Sequence, residues 1–313
     1  MRIAILGSGA MGSLFGSFLS LYNDVWLIDN DISKIEAINK DGVTMSESDG
    51  VRAYWPKAAS DSSGLGIMDL VVLFVKSMYT VDALHQNRNL IGKDTFIMTL
   101  QNGAGHEAKL SQFVDRKNIL VGTTQHNSSI IKAGHINHGG SGLTIIGVLE
   151  GRSGRIWEIA DCFSICGIET IISDNIKKEV WNKLFLNTSA SSLTAALQVP
   201  LGFIIENSHA RHMMHMLANE AVKVANAECG NVFDVHEVIG NIERVLSNSM
   251  NGYTSIYSDI KNGNRTEVDT ISGFVAEAAK RYDIEAPYHD FVVSLIHSLE
   301  EKVMTEKNSL QTV

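Results

Sequence analysis

The sequence predicts an α/β protein: an N-terminal Rossmann-type doubly wound sheet followed by a mostly α-helical C-terminal domain. Three observations carry that expectation. A short apolar run meets a glycine-rich turn near the N-terminus. Strand-like apolar runs then alternate with helix-like patterns, joined by short connections. Past about residue 175 the chain reads as nearly continuous helix.

In order, "RIAIL" is a first strand and "GAMGSLFGSFLSLY" the helix after it. "DVWLID" is a second strand. "DISKIEAINKDG" is a helix that Asp31 or Ser33 can cap, because a short polar side chain accepts from the first unpaired amides. "MDLVVLFVK" is apolar on both faces, as suits the middle of a parallel sheet. "VDALHQNRNLI" and "GHEAKLSQFV" read as helices, and "DTFIMTL", "NILVGTT" and "LTIIGVLE" as strands. "GRIWEIADCFSICG" is helical and "IETIISDN" is a last extended piece. Helices follow near 176–198, 210–229, 235–249, 266–282 and 288–303, punctuated by Pro200 and Pro287. The expected domains are 1–172, binding a dinucleotide, and 173–313, helical and binding substrate.

Composition narrows the function. Apolar residues make up 44 % of 313, enough for a sizeable core and against wholesale disorder. The net charge of -9, with no basic run, argues against nucleic acid, whose binding needs clustered cations. No stretch approaches the roughly 18 apolar residues of a membrane helix. "MRIAILGSGAMG" lacks the layout of a signal peptide, so a cytoplasmic location is expected. Three cysteines, Cys162, Cys166 and Cys229, suit a reducing compartment better than a disulfide framework. Cys162 and Cys166 can be a redox pair, but two small buried side chains on one helix fit better.

"AILGSGAMGSLFG" holds Gly7-x-Gly9-x-x-Gly12 between a strand and a helix, the context that makes this pattern a dinucleotide site. Gly7 makes the tight turn, Gly9 lets backbone approach a pyrophosphate, and Gly12 lets helix and strand pack closely. The helix start, with Ala10 and Met11, offers amides and a positive dipole to the phosphates. Asp29 ends the second strand, 17 residues past Gly12. A carboxylate there accepts from a free ribose 2′-hydroxyl and repels a 2′-phosphate, so NAD is expected over NADP, with NADP the alternative. Asp29 can instead simply cap the next helix.

A nicotinamide cofactor implies hydride transfer, and reducing a ketone also requires a proton donor. "WNKLFLNTSASS" places Lys183, Asn187 and Ser191 four residues apart, hence on one face of a helix that also carries Leu184, Phe185 and Leu186. Lysine is rarely buried without a partner. Such a face either meets water, with the lysine snorkelling outward, or lines a site where its charge can serve a developing alkoxide.

At these residues the whole chain resembles the ketopantoate reductases (2-dehydropantoate 2-reductases). The resemblance rests on the Gly7 loop, "FVKS" with Lys76, "LQNGAGHE" with Asn102, "WNKLFLN" with Lys183 and Asn187, and "SIYSDIKNGNRTEVD" with Ser255, Asp259 and Glu267. It implies an NAD(P)H-dependent reductase of a C3-branched 2-keto acid, with the site between the two domains. It further implies that Lys183 is the general acid for the C2 carbonyl and that Glu267 orients it or binds the substrate's far hydroxyl. Asn187 and Ser255 would hold substrate oxygens. Lys76 and Asn102 would lie near the nicotinamide ribose and the reacting centre. Read by themselves, Glu267 is a carboxylate in a helix's first turn and Asn102-Gly103 a turn dipeptide.

Two departures stand out. Relatives commonly carry a second asparagine where this chain has Ser191, a shorter reach to substrate. NADPH-dependent members tend to have a basic residue where Asp29 stands. Both shift weight toward NAD-dependent relatives, the D-mandelate and D-2-hydroxyisocaproate dehydrogenases. A β-hydroxyacid dehydrogenase, which also carries Lys-x-x-x-Asn, is a rival, and a non-catalytic NAD sensor a more distant one. His209, His212 and His215 read as an exposed helix face rather than a metal site, and no metal is expected. His126, His135 and His138 lie in a strand-turn-strand, where His138 is a candidate contact to substrate or cofactor. Met213, Met214 and Met216 suit a core or a dimer interface, so a second copy of the chain is the one macromolecular partner considered.

Overall fold

The computed structural model describes residues 1–149 and 154–311, with side chains as far as residue 307. The chain forms two compact units, Met1–Gln101 with His106–Glu179, and Asn102–Gly105 with Val180–Val313.

The strands of the first unit are β1 (Arg2–Leu6), β2 (Asp24–Ile28), β3 (Val43–Glu47), β4 (Gly50–Tyr54), β5 (Lys57–Ala59), β6 (Leu70–Leu73), β7 (Phe96–Thr99), β8 (Ile119–Thr124), β9 (Asn127–Lys132), β10 (His135–Gly140), β11 (Thr144–Val148) and β12 (Thr170–Ile172). Its helices are α1 (Ala10–Leu19), α2 (Ile32–Asp41), α3 (Thr80–Gln86), α4 (Glu107–Leu110) and α5 (Arg155–Ile165). One sheet runs β12-β11-β8-β7-β6-β1-β2-β5. From β5 to β8 it is parallel, in the doubly wound order 3-2-1-4-5-6, with the topological switch point between β1 and β6. Ile3, Ile5, Leu70, Val72, Ile97 and Met98 are all fully covered, the two-faced burial that their apolar runs implied.

Two features of this unit go beyond the expected sheet. β11 pairs antiparallel with β8, so β11 and β12 run against the rest. A second sheet, β4-β3-β10-β9, contains the expected hairpin of 127–140 and adds β3 and β4. β3 buries Val43 and Met45 and leaves Thr44 part-exposed, a short alternation easily passed over beside the longer apolar runs. At α2 the cap is Asp31, which accepts from the amides of Ser33 and Lys34.

Helix α6 (Ile176–Leu186) carries the division, at Glu179/Val180. A π-turn over Asn187–Ser191 links it to α7 (Ser192–Leu197), and Gln198 ends the run in a left-handed conformation. Then come α8 (Leu201–Glu206), α9 (Ser208–Cys229), α10 (Val235–Asn248), α11 (Ser255–Lys261), α12 (Ser272–Arg281) and α13 (Pro287–Gln311). α8 and α11 were not expected; each is shorter than two full turns, opened by Pro200 and by the capping hydroxyl of Thr254.

Trp181, Leu184 and Phe185 of α6 are buried in the core of this unit, and the Trp181 ring packs 5.7 Å from both Phe185 and Phe274. Each such side chain contributes about 1.5–3 kcal/mol on burial. At 100° per residue that face dictates the helix's rotation and turns Lys183 and Asn187 to its other side. No helix among the described residues is long and apolar enough to cross a membrane.

Candidate active site

The loops after β1 and β6 meet at the switch point of the first unit. A Cβ at Gly7, whose φ is +100°, would come within 2.7 Å of the Val75 amide. A Cβ at Gly12 would lie 1.8 Å from the Gly7 carbonyl. Both positions therefore require glycine. Gly9 differs: a Cβ there would meet nothing within 4 Å, so this glycine faces open space. Gly9 also precedes α1, which no side chain caps. The first amides of a helix, here those of Ala10, Met11 and Gly12, lack intrahelical acceptors. Together these features suit an anionic pyrophosphate, the part of a dinucleotide that such a turn holds.

Asp29 does not cap α2. One carboxylate oxygen accepts from the Ser8 amide and hydroxyl at 2.8 and 2.9 Å, and the other from the Asp31 amide at 3.0 Å. The carboxylate thus ties the end of β2 to the glycine loop. Lys34 lies 3.5 Å from Asp29 and 3.6 Å from Asp31, so its ammonium is paired with two acids, and Lys132 lines the same pocket.

Lys76 follows β6 and opens a 3-10 turn. Its loop is fastened by Gln101, whose amide nitrogen donates to the Val75 carbonyl at 2.6 Å and to the Thr80 hydroxyl at 2.9 Å. Gln101 was quoted in the sequence but not singled out; its position at the end of a buried strand was the available signal.

The remaining candidates, Asn102, Lys183, Asn187, Ser191, Ser255 and Glu267, belong to the second unit. Lys183 is part-buried on α6. Burial pushes its ammonium pKa down from 10.5 to about 8, and the charge of Glu267 opposes that fall. Lys183 and Glu267 are therefore electrostatically coupled across 84 residues of sequence. Glu267 is not in an α-helix's first turn, contrary to the reading of its surroundings. It precedes a 3-10 turn, Val268–Thr270, and its carbonyl accepts from the Thr270 and Ile271 amides. The helix dipole thus gives no account of it.

Asn102 is brought to the same segment. The Thr270 hydroxyl donates to the Asn102 carbonyl at 3.3 Å, and the Ala104 amide donates to the Thr270 carbonyl at 2.9 Å. Between them Gly103 has φ +92°, and a Cβ would fall 2.2 Å from the Thr270 carbonyl oxygen. This is a close backbone approach that only glycine permits, not merely a turn dipeptide.

The π-turn alters the four-residue stripe. Asn187 opens it and Ser191 closes it, so the i+4 geometry holds from Lys183 to Asn187 but not from Asn187 to Ser191. Ser191 is 4 % exposed, and its carbonyl accepts from the hydroxyls of Thr194 and Thr254 at 2.9 and 3.4 Å. Thr254 also caps α11, whose first residue is the exposed Ser255. Small hydroxyl residues fill "NTSASSLT", and Thr188, Ser189, Ser192 and Thr194 are all buried.

Other constellations resolve into local contacts. Both ring nitrogens of His138 are engaged, by Glu47 at 2.8 Å and His126 at 3.2 Å. Burial, then His138, lowers the pKa of His126. His215 pairs with Glu243, as does Arg211. No group of three or more metal-ligating side chains occurs among the described residues. No disulfide joins Cys162 to Cys166, and burial drives the Cys166 thiol up to about 11. A thiol held so protonated is a poor nucleophile, which favours the packing role.

The chain is similar to known proteins along most of its length. Residues 3–151 match the family "Ketopantoate reductase PanE/ApbA" and residues 175–300 its C-terminal domain. A 2-dehydropantoate 2-reductase of Halobacterium salinarum is 32 % identical over 291 residues, 92 % of this chain and 95 % of its own. One from Lactococcus lactis subsp. lactis is 32 % identical over 308 residues, 96 % of this chain and 98 % of its own. Among solved structures, D-mandelate dehydrogenase with NADH and anilino(oxo)acetate superposes with a TM-score of 0.90 at 32 % identity, covering 97 % of this chain and 99 % of that one. The chain belongs to the ketopantoate reductase family and is an oxidoreductase of that type.

Proposed function

We propose that the protein uses NADH to reduce a C3-branched 2-keto acid, 2-dehydropantoate or a relative, to the (R)-2-hydroxy acid, with Lys183 as general acid. The observation that carries this reading is the Lys183 ammonium, drawn by burial to a pKa of about 8 and kept charged by Glu267. A proton donor with a pKa near the working pH is the most effective one.

Gly7, Gly9 and Gly12, with the amides of Ala10 and Met11, would hold the pyrophosphate, Asp29 the adenosine ribose and Lys76 the nicotinamide ribose. When bound, the reduced nicotinamide supplies a hydride for C2. As the C=O bond opens, Lys183 first stabilises the growing negative charge on oxygen and then gives it a proton, leaving a neutral amine. Asn187, one turn on, donates to the same oxygen or to the neighbouring carboxylate. Glu267 holds Lys183 protonated and accepts from the substrate's far hydroxyl. Asn102 and Ser255 bind substrate oxygens. Ser191 serves this site through its carbonyl, which fixes the turn beside Thr254.

NADH rather than NADPH is supported by the carboxylate of Asp29 and by the neutralisation of Lys34 by two acids. NADP is the alternative cofactor. The sparse, odd cysteine count and the nicotinamide chemistry suit a cytoplasmic enzyme. A second substrate reading, an aryl or branched-alkyl 2-keto acid, draws on the similarity to D-mandelate dehydrogenase and on Ser191 in place of a longer amide.

Loss of reduced-nicotinamide absorbance tests the proposal, with ketopantoate, benzoylformate and 2-ketoisocaproate each run against NADH and NADPH. Rapid turnover of ketopantoate with NADH is the expected result. Rapid benzoylformate or ketoisocaproate turnover with slow ketopantoate would transfer the protein to the second reading. No turnover of any 2-keto acid would remove both.

A further inference from the structure

A buried polar chain crosses the second unit beside α6. Glu220 of α9 is 4 % exposed, and its carboxylate accepts from the Tyr288 and His289 amides, both at 3.0 Å. The same carboxylate is hydrogen-bonded to His289 Nδ1 at 2.7 Å. His289, wholly buried, bonds through Nε2 to the Thr188 hydroxyl at 2.9 Å. Thr188 shares a hydrogen bond with the Ser272 hydroxyl at 3.3 Å, and Ser272 one with Ser192 at 3.4 Å.

A buried carboxylate and imidazole carry a desolvation cost that apolar side chains of similar size would avoid. Capping α13 accounts for Glu220 and its two amide bonds. It does not account for the reach of His289 to Thr188. Thr188 is the second residue of the π-turn, directly after Asn187, and Ser272 opens α12, five residues after Glu267. The chain therefore ends on a hydroxyl pair that joins the Lys183–Asn187 arm to the Glu267 arm. A π-turn is an irregular, locally adjustable element, and fixing its start fixes the direction of the residue before it.

We infer that the Glu220–His289–Thr188 chain is a positioning device: it sets the start of the π-turn and, with Ser272, the placement of Asn187 and Lys183 against Glu267. These are positioning residues, and their role rests on the reading of Lys183 as the acid.

Thr188→Val removes the hydroxyl and leaves the Glu220 cap of α13 in place; Thr188→Ser restores the hydroxyl. Turnover, KM for NADH and the alkaline limb of the pH profile are measured for both, with near-UV circular dichroism to establish folding. Thr188→Val is expected to lower kcat roughly tenfold at unchanged KM for NADH and to move the alkaline limb. Thr188→Ser should stay within about twofold of wild type with the limb in place. Should Thr188→Val not fold, Thr188→Ala carries the same expectation without placing a second apolar branch beside His289. A folded variant lacking the hydroxyl, with wild-type kcat and limb, would overturn the positioning role. A wild-type profile with no limb near pH 8 would instead sink the reading of Lys183.

Discussion

Glu267 acts on Lys183 against the effect of burial: its charge raises a pKa that desolvation has drawn down from 10.5 to about 8. The two side chains reach one another only through tertiary structure, from α6 and from the 3-10 turn ahead of α12. The coupling leaves an ammonium that is charged at neutral pH yet releases its proton readily, as a donor to an alkoxide must.

Replacing Lys183, the proposed donor, separates chemistry from binding. Lys183→Ala should lower kcat for keto-acid reduction by about 10²–10⁴-fold and leave NADH affinity unchanged by fluorescence titration. Unchanged turnover would eliminate the proton-donor role.

The same lysine weakens the fold. A lysine whose folded pKa lies below its unfolded value costs stability at every pH below the folded pKa, and the cost is relieved as pH rises from about 8 toward 10.5. Lys183→Met should therefore stabilise the inactive protein by roughly 1–2 kcal/mol at pH 7 in urea unfolding. The gain should shrink by pH 10. A variant less stable than wild type at pH 7 would contradict the direction assigned to burial.

The three glycines of the turn are not equivalent. Gly9 faces open space, so Gly9→Ala should fold with an unchanged melting temperature while NADH binding weakens roughly tenfold or more. Gly12→Ala would place a Cβ 1.8 Å from the Gly7 carbonyl and should be destabilised outright. Calorimetry and NADH titration of the two variants read the difference.

Gly103 should be as intolerant. Its φ of +92° and the 2.2 Å approach to Thr270 predict that Gly103→Ala costs at least about 2 kcal/mol. A melting temperature equal to wild type would mean that the Asn102 loop is not held to Thr270.

Much of the first unit was legible because a parallel sheet is apolar on both faces, and "RIAIL" and "LVVL" announce themselves. β3 and β4 were not, since their alternation is short and partly exposed. In the second unit the spacing of Lys183 and Asn187 was readable because one helical turn separates them. The π-turn after them was not, because nothing in "NTSAS" distinguishes it from a plain helix until Thr188, Ser272 and Thr254 are in place. Glu220 and His289 stand 69 residues apart in sequence, and no local pattern could join them. Glu267 was singled out through resemblance, while the local argument for it, a helix's first turn, failed.

The most direct test is the pH dependence of single-turnover keto-acid reduction with NADH, from pH 6 to 10, in wild type and Glu267→Gln. A general acid must be protonated, so the wild-type rate should fall as pH rises through about 8. Loss of the Glu267 charge removes what holds that pKa up, so the fall should begin at lower pH in the variant. A flat wild-type profile, or a limb that Glu267→Gln leaves in place, would contradict the coupled Lys183–Glu267 pair as the proton source.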